Sequence, residues 1–158
     1  MIIAGTGHRP KYCPCKYKEN HPWLTQLKEN LTAYLTGVHE HTTVIIRAGG
    51  AIGWDTWLAE VAIDLNLPLH LYLPFEGQEL AWPSNSRIKY KIIKAAATKV
   101  FYTADHYSSD VFLKRDVEMI TGADLIVSLL DPEIKSGGTY YTVRKAKEMG
   151  IEVRNFWI

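Results

Sequence analysis

The sequence predicts an α/β domain of three layers, a mostly parallel sheet with helices on both faces, and two patterns carry that reading. Short apolar runs alternate with stretches of helical periodicity from one end of the chain to the other. The runs themselves, Leu125-Ile126-Val127-Ser128-Leu129-Leu130 above all, are almost continuously apolar instead of alternating, as strands buried on both faces must be. A third observation bears on function: glycine-containing turns follow the first, second and fifth runs. With 158 residues, 47% of them hydrophobic, the chain suffices for one well-buried core, so residues 1–158 read as a single domain.

Met1-Ile2-Ile3-Ala4 is a minimal first strand running into the turn Gly5-Thr6-Gly7-His8-Arg9-Pro10. Pro10, Pro14 and Pro22 keep the chain irregular as far as His21, because proline removes a backbone donor and restricts the residue before it. From Trp23 to Val38, Leu24, Leu27, Leu31, Tyr34, Leu35 and Val38 mark an amphipathic helix. Thr42-Thr43-Val44-Ile45-Ile46 is the second strand; beyond the glycine-rich turn, Leu58, Val61, Ala62 and Leu65 recur at helical spacing from near Trp54. Leu67 to Pro74 reads as a third strand with prolines at its edges, followed by a loop from Phe75 to Ser86.

Ser84 or Ser86 caps a helix through about Thr98, with Ile88, Ile92, Ile93 and Ala96 turned inward and Arg87, Lys89, Lys91 and Lys94 on a solvated face. Lys99 to Tyr102 is the fourth strand, Thr103 to Ser109 a polar loop, and Asp110 to Thr121 a helix closed by Gly122. Ala123 to Leu130 is the fifth strand. Ser136-Gly137-Gly138-Thr139 then opens a last helix through Tyr141, Val143, Ala146 and Met149, which Gly150 ends before a final strand from Ile151 to Ile158.

The stretch Arg47-Ala48-Gly49-Gly50-Ala51-Ile52-Gly53-Trp54-Asp55 passes through glycines directly into a helix. A helix N-terminus offers free N–H groups and a favourable dipole to an anion, and glycines let a ligand approach the backbone. Gly49, Gly50 and Gly53, and likewise Gly137, Gly138 and Thr139, are therefore candidate phosphate ligands. Parallel sheets gather ligands at the carboxyl ends of their strands, where Gly5, Thr6, Gly7, His8 and Arg9 join the same edge. Arg9 offers a charged fork for phosphate or carboxylate, or for a structural carboxylate; His8 either meets a ligand or packs under its loop.

Among the carboxylates, Asp55 is placed to meet a ribose hydroxyl, to orient a water, or to complement its helix dipole. Glu60, further along, faces cleft or solvent; Asp110 and Asp116 read as a helix start and a surface charge. Arg115 reaches the ligand or a salt bridge. Trp82 and Tyr107 stack on a base or pack at a boundary. Asp55, Glu60 and Arg9 are the catalytic candidates.

Composition narrows the classes. Lys plus Arg number 18 against 17 for Asp plus Glu, so no global field draws in nucleic acid or an anionic membrane, and nucleic acid is an unlikely partner on this ground. No apolar run approaches membrane-spanning length and no leader precedes Ile2-Ile3, which gives a soluble, cytoplasmic protein as the expectation. Cys13 and Cys15, one proline apart, make a poor disulfide; with His21 they match no common zinc pattern, so they read as reduced residues of an ordinary loop, with no metal and no resident cofactor.

Gly7-His8-Arg9-Pro10, Gly49-Gly50 with Gly53 and Asp55, and Gly137-Gly138-Thr139 together resemble the YpsA-like branch of the SLOG superfamily, Rossmann-like proteins related to DprA and LOG. The Arg115 to Met119 segment and the Trp82-Pro83 loop are similar to that branch as well. The resemblance covers nearly the whole chain. It implies a domain that binds nucleotides or nucleotide-derived molecules, of NAD, ADP-ribose or cyclic type, and assembly into dimers or tetramers. For LOG-like relatives it implies N-glycosidic hydrolysis of nucleoside monophosphates with the Glu of a Pro-Gly-Gly-x-Gly-Thr-x-x-Glu motif. Here Ser136 replaces that Pro, and Tyr140-Tyr141-Thr142-Val143 supplies no Glu. A binding module is thus the first reading, and a hydrolase of N-glycosidic or phosphate bonds the alternative.

Overall fold

The computed structural model describes residues 1–158. Six strands and five α-helices alternate: β1 (Ile2–Gly7), α1 (Pro22–His39), β2 (Ile45–Ala48), α2 (Trp54–Asp64), β3 (Leu69–Leu73), α3 (Ser84–Ala96), β4 (Lys99–Tyr102), α4 (Val111–Ile120), β5 (Leu125–Leu129), α5 (Gly137–Glu148) and β6 (Glu152–Asn155). The sheet order is β4-β3-β2-β1-β5-β6 and every pair is parallel. The order reverses at β1, which pairs with β2 on one side and β5 on the other. That reversal is the switch point at which such sheets hold ligands.

Alternate residues of each strand serve opposite faces. Ile3, Ile46, Leu69, Leu71 and Val127 join side chains of α1, α2 and α3 in a core of 26 buried residues, whereas Ala4 and Ile126 meet Met119, Ile120 and Ala146 of α4 and α5 in a core of only six. The thinner layer leaves Phe101 of the edge strand 41% exposed, held by the rings of Tyr72 and His70. No helix is long and apolar enough to cross a membrane.

Several expectations are corrected. Gly5 and Gly7 lie inside β1 and not in a turn; a Cβ on either would collide with Leu58 or Trp54 of α2, so these glycines exist to let α2 close on the sheet. The second strand starts at Ile45 instead of Thr42, since Ile45 and Ile46 are the residues that pair with β1. On α3, Ile88 and Ile92 are exposed and the inward residues are Tyr90 and Ile93. Lys89 is not merely solvated: it bridges Glu19 at 2.7 Å and Glu60 at 2.8 Å. Cys13 and Cys15 are both free and 1% exposed, so their loop is pinned to the main core by two buried thiols. Burial pushes Cys13 up to about 12, with the neighbouring Cys15 adding to the effect.

Candidate functional site

A cavity of about 340 Å³ opens at the switch point. β1 and the loop after it contribute Thr6, Gly7, His8 and Arg9; the start of α2 contributes Asp55; α4 contributes Arg115; and the start of α5 contributes Gly137 to Thr139.

The floor is a buried charge constellation. Val111, Arg115 and Met119 share the inward stripe of α4, which carries the Arg115 side chain into the interior at 4% exposure. There Nη1 donates to the carbonyl oxygens of Gly49 and, at 3.2 Å, of Tyr72, while Nε donates to Asp116 Oδ1 at 2.7 Å. Asp55 is 7% exposed and its Oδ2 accepts the Ala51 N–H at 3.1 Å. Asp55 Oδ1 and Arg115 Nη2 have no hydrogen-bond partner in the chain and are not sealed off, so both present open valences to the cavity. Desolvation pushes the Asp55 carboxyl up to about 6, against the pull of Arg115 and with some help from Asp116.

One wall is the first turn of α5. Gly137 has φ +88°, a left-handed conformation that glycine adopts without strain, and it turns the chain sharply into the helix. Ser136 makes no side-chain cap and the first turn contains no acid, so nothing in the chain competes for its N–H groups. Arg9 stands exposed opposite, its guanidinium in no salt bridge or hydrogen bond within the chain. Between floor and rim lies His8, 5% exposed, with Nε2 lacking a partner. Burial holds its imidazole below the ordinary histidine range, against the pull of Asp131, so it is neutral at pH 7.

The other sequence candidates are placed differently. Gly49 presents its carbonyl, not a donor, to the site; a Cβ there would lie 2.6 Å from Asp55 Oδ2 and 2.7 Å from Arg115 Nη1, so this glycine makes room for the charged pair. Gly50 faces Leu73 and Tyr90, away from the cavity. Gly53, with φ +103°, presses on the His8–Pro10 segment, and the Trp54 N–H behind it donates to the His8 carbonyl at 3.3 Å. The α2 N-terminus is thereby covered by protein. Gly5 is buried under Leu58, and Trp82 packs edge-on against Tyr90 at 5.3 Å on the far layer. Glu60 lies outside the cavity, bonded to Lys28 at 2.6 Å as well as to Lys89. Burial raises its carboxyl, but the two lysines more than offset this and hold it below the usual range.

Asp116, expected at the surface, is a wall residue: its Oδ2 accepts from Thr142 of α5 at 3.2 Å and its side chain is 14% exposed. Lys11, Tyr12 and Phe112 complete the rim and were not candidates in the sequence. For Arg115 a signal existed, a permanent charge at a helix position spaced for burial between Val111 and Met119. No cluster of three or more His, Cys, Asp or Glu side chains is arranged to hold a metal ion.

This geometry has relatives. The model of the YspA SLOG family matches residues 3–155. The chain belongs to the YspA SLOG family. A UPF0398 protein of Bacillus thuringiensis (strain Al Hakam) is 30% identical over 162 aligned residues, 98% of this chain and 86% of that protein. The fold is shared with DNA processing protein A from Streptococcus pneumoniae, at a TM-score of 0.66, 16% identity and 98% of this chain. It is shared also with DNA processing protein A from Helicobacter pylori, at a TM-score of 0.67, 18% identity and again 98% of this chain. This SLOG-family chain spans about half of the first of these, 49%, and 64% of the second.

The Helicobacter protein is described by its single-stranded DNA binding mode. The expectation that nucleic acid is an unlikely partner is thereby overturned: a chain of this fold carries that activity, and a net charge of +1 is no ground for exclusion. The physical reason is that whole-chain charge averages over local patches. Arg9, Lys11, Lys16 and Lys18 fall within ten residues that contain no acid, and Arg87, Lys89, Lys91 and Lys94 share α3.

Proposed function

We propose that this SLOG-family chain is a sensor or sequestering module that binds a nucleotide or a nucleotide-derived phosphate ester, of NAD, ADP-ribose or cyclic type, in the cavity at the switch point. The phosphate sits on the N–H groups of Gly137, Gly138 and Thr139 with Arg9 supplying a charge-assisted bond. Asp55 Oδ1 accepts from a ribose hydroxyl and Arg115 Nη2 donates to the same sugar. The observation that carries this reading is the open Asp55–Arg115 pair on the floor, facing an uncapped helix N-terminus across one cavity. Both atoms keep unused hydrogen-bonding capacity within one cavity, and a polyhydroxylated anion satisfies both ends at once. Isothermal titration against mono-, di- and cyclic nucleotides and NAD derivatives tests it; the absence of heat with all of them refutes it.

Asp55 supports a second reading. A carboxyl near pKa 6 beside an arginine is poised to move a proton, which suits hydrolysis of an N-glycosidic or phosphate bond with Arg9 on the phosphate. Chromatography of the ligand after long incubation with excess protein decides between them, since unchanged ligand rules hydrolysis out. Self-association is part of the same proposal, supported by Ile88 and Ile92, which are 58% and 61% exposed on the outer side of α3. Light scattering from a monomer at micromolar concentration would reject it.

A further inference from the structure

The sheet ends at β4, an edge strand with β3 as its one neighbour. Its Phe101 and Tyr102 are each 41% exposed. An edge strand turns alternate backbone N–H and C=O groups away from its neighbour, where another strand can take them up.

Both faces of this edge are basic. On the face that carries α4 and α5, the parallel register sets Arg47, His70 and Lys99 side by side across β2, β3 and β4. Like charges directly opposite one another on a sheet oppose folding. Arg47 is occupied, its Nη1 donating to the carbonyl oxygens of Met119 at 3.1 Å and Thr121 at 2.8 Å. Burial, with Lys99 and Arg47 beside it, holds the His70 imidazole below the ordinary histidine range. Lys99, the outermost of the row, is exposed and in no ion pair.

On the other face, Lys94 Nζ stands 5.3 Å from the centre of the Tyr102 ring, which fixes the side of α3 turned to the edge. Lys91 and Arg87, three and seven positions earlier, share that side and are exposed. None of these three cations is in an ion pair, and Glu76 pulls on Lys94 only from beyond ion-pair range. β2, β3, β4 and α3 contain no Asp or Glu. A lysine on an edge strand ordinarily discourages pairing. That accounts for Lys99 and leaves the α3 cations and the two exposed rings unexplained.

We infer that the β4 edge takes up an extended acidic segment of a partner protein as a seventh strand, its backbone bonded to β4 and its carboxylates reaching Lys99 on one face and Lys91 and Arg87 on the other. Apolar side chains of that segment cover Phe101 and Tyr102. A second copy of this chain does not fit, because pairing β4 with β4 about a twofold axis brings the α3 cations onto their own equivalents. A single nucleic-acid strand fits less well than a peptide. Consecutive side chains of a strand point to opposite faces, so Phe101 and Tyr102 form no common platform for bases, and each ring is already engaged, Phe101 by Tyr72 at 4.9 Å and Tyr102 by Lys94. The edge lies outside the switch-point cavity, so the inference stands whether or not that cavity binds a nucleotide.

The test is fluorescence anisotropy on the whole chain at low ionic strength, with capped, labelled octapeptides of glutamate, valine and threonine that carry acids on one face or on both. Controls are the same peptides with lysine for glutamate, the same peptides N-methylated along one edge or the other, and an oligothymidylate of matching charge. The expected result is that an acidic peptide binds, and that lysine replacement, or N-methylation along one edge but not the other, weakens it at least about 10-fold. Lys99→Glu relieves the basic row; it should weaken the acidic peptide about 10-fold and turn the preference toward the lysine peptide. No binding by any acidic peptide, equal binding of the two N-methylated forms, or binding that survives Lys99→Glu overturns the inference. An oligothymidylate bound at least as tightly as the best peptide overturns it in favour of a nucleic-acid strand.

Discussion

Replacing Asp55 with Asn should stabilise the protein while impairing it. The carboxyl is raised from its ordinary 3.8 to about 6 because burial strips water from its charged form. A carboxyl whose pKa is higher in the folded chain than in the unfolded one binds its proton more tightly when folded. Its favourable contribution is thus present at low pH and is lost as pH rises from about 4 through about 6. Relative to the protonated state, the raised carboxyl costs the fold about 3 kcal/mol at pH 7.5, where it is ionised when folded, and about 1.5 kcal/mol at pH 5, where folding must instead take up a proton. Asn removes the charge, and its carbonyl oxygen can keep the bond from the Ala51 N–H, seen here at 3.1 Å. The Asp55→Asn protein should therefore gain up to about 3 kcal/mol at pH 7.5, or roughly 6–12 °C in Tm for a domain of this size. The gain should fall by about half at pH 5. Scanning calorimetry of both proteins at the two pH values measures this, and titration with the ligand should show at least about 10-fold weaker binding by the variant. A variant no more stable than the parent at pH 7.5, or one whose advantage is the same at both pH values, would refute the assignment of Asp55 as a desolvated charge held for function.

Three further outcomes follow from the same geometry. Gly53→Ala places a Cβ against the His8 carbonyl and forces alanine to φ +103°, so chemical denaturation should show a loss of about 2–4 kcal/mol. Gly138→Asp meets no atom within 4 Å and puts an acid in the first turn of α5, so Tm should hold or rise while affinity for a phosphate ester falls at least about 10-fold; unchanged affinity would remove the phosphate from this helix. Glu60→Gln breaks the bridges to Lys28 and Lys89, which are each about one-third exposed, and should lower stability by about 1 kcal/mol with no change in affinity for a nucleoside monophosphate.

The layering of the fold was legible because it depends on local periodicity. Leu125 to Leu129 is a strand in any reading, and the spacing of Leu24, Leu27, Leu31 and Leu35 dictates α1. What local pattern could not reach was the meaning of individual glycines. Gly5 and Gly7 look like a turn in sequence and are a packing surface for Trp54 and Leu58, residues some fifty positions away. Asp116 follows a buried arginine on α4 and is turned toward Thr142 of α5, a contact set by how α4 and α5 cross and not by any motif. On α3 the error was one of face: two apolar stripes are present, and the one containing Ile88 and Ile92 is outward.

Two glycine pairs that read alike in sequence end in opposite states. Both follow a strand and open a helix, and by dipole and free N–H groups alone they are equivalent anion sites. The pair at Gly49 and Gly50 is closed from within: the Ala51 N–H is taken by Asp55, the Trp54 N–H by His8, and the Gly49 carbonyl by Arg115. The pair at Gly137 and Gly138 has no such partners, no capping side chain and no acid in its first turn. Groups that hold the floor in place are not available to a ligand, so the first turn positions Asp55 and Arg115 and only the second is left open to an anion. The division follows from which donors the rest of the chain has already used, and under the proposed function it makes the Asp55→Asn and Gly138→Asp variants separable in their effects: the first should lose the contact to the sugar and the second the contact to the phosphate.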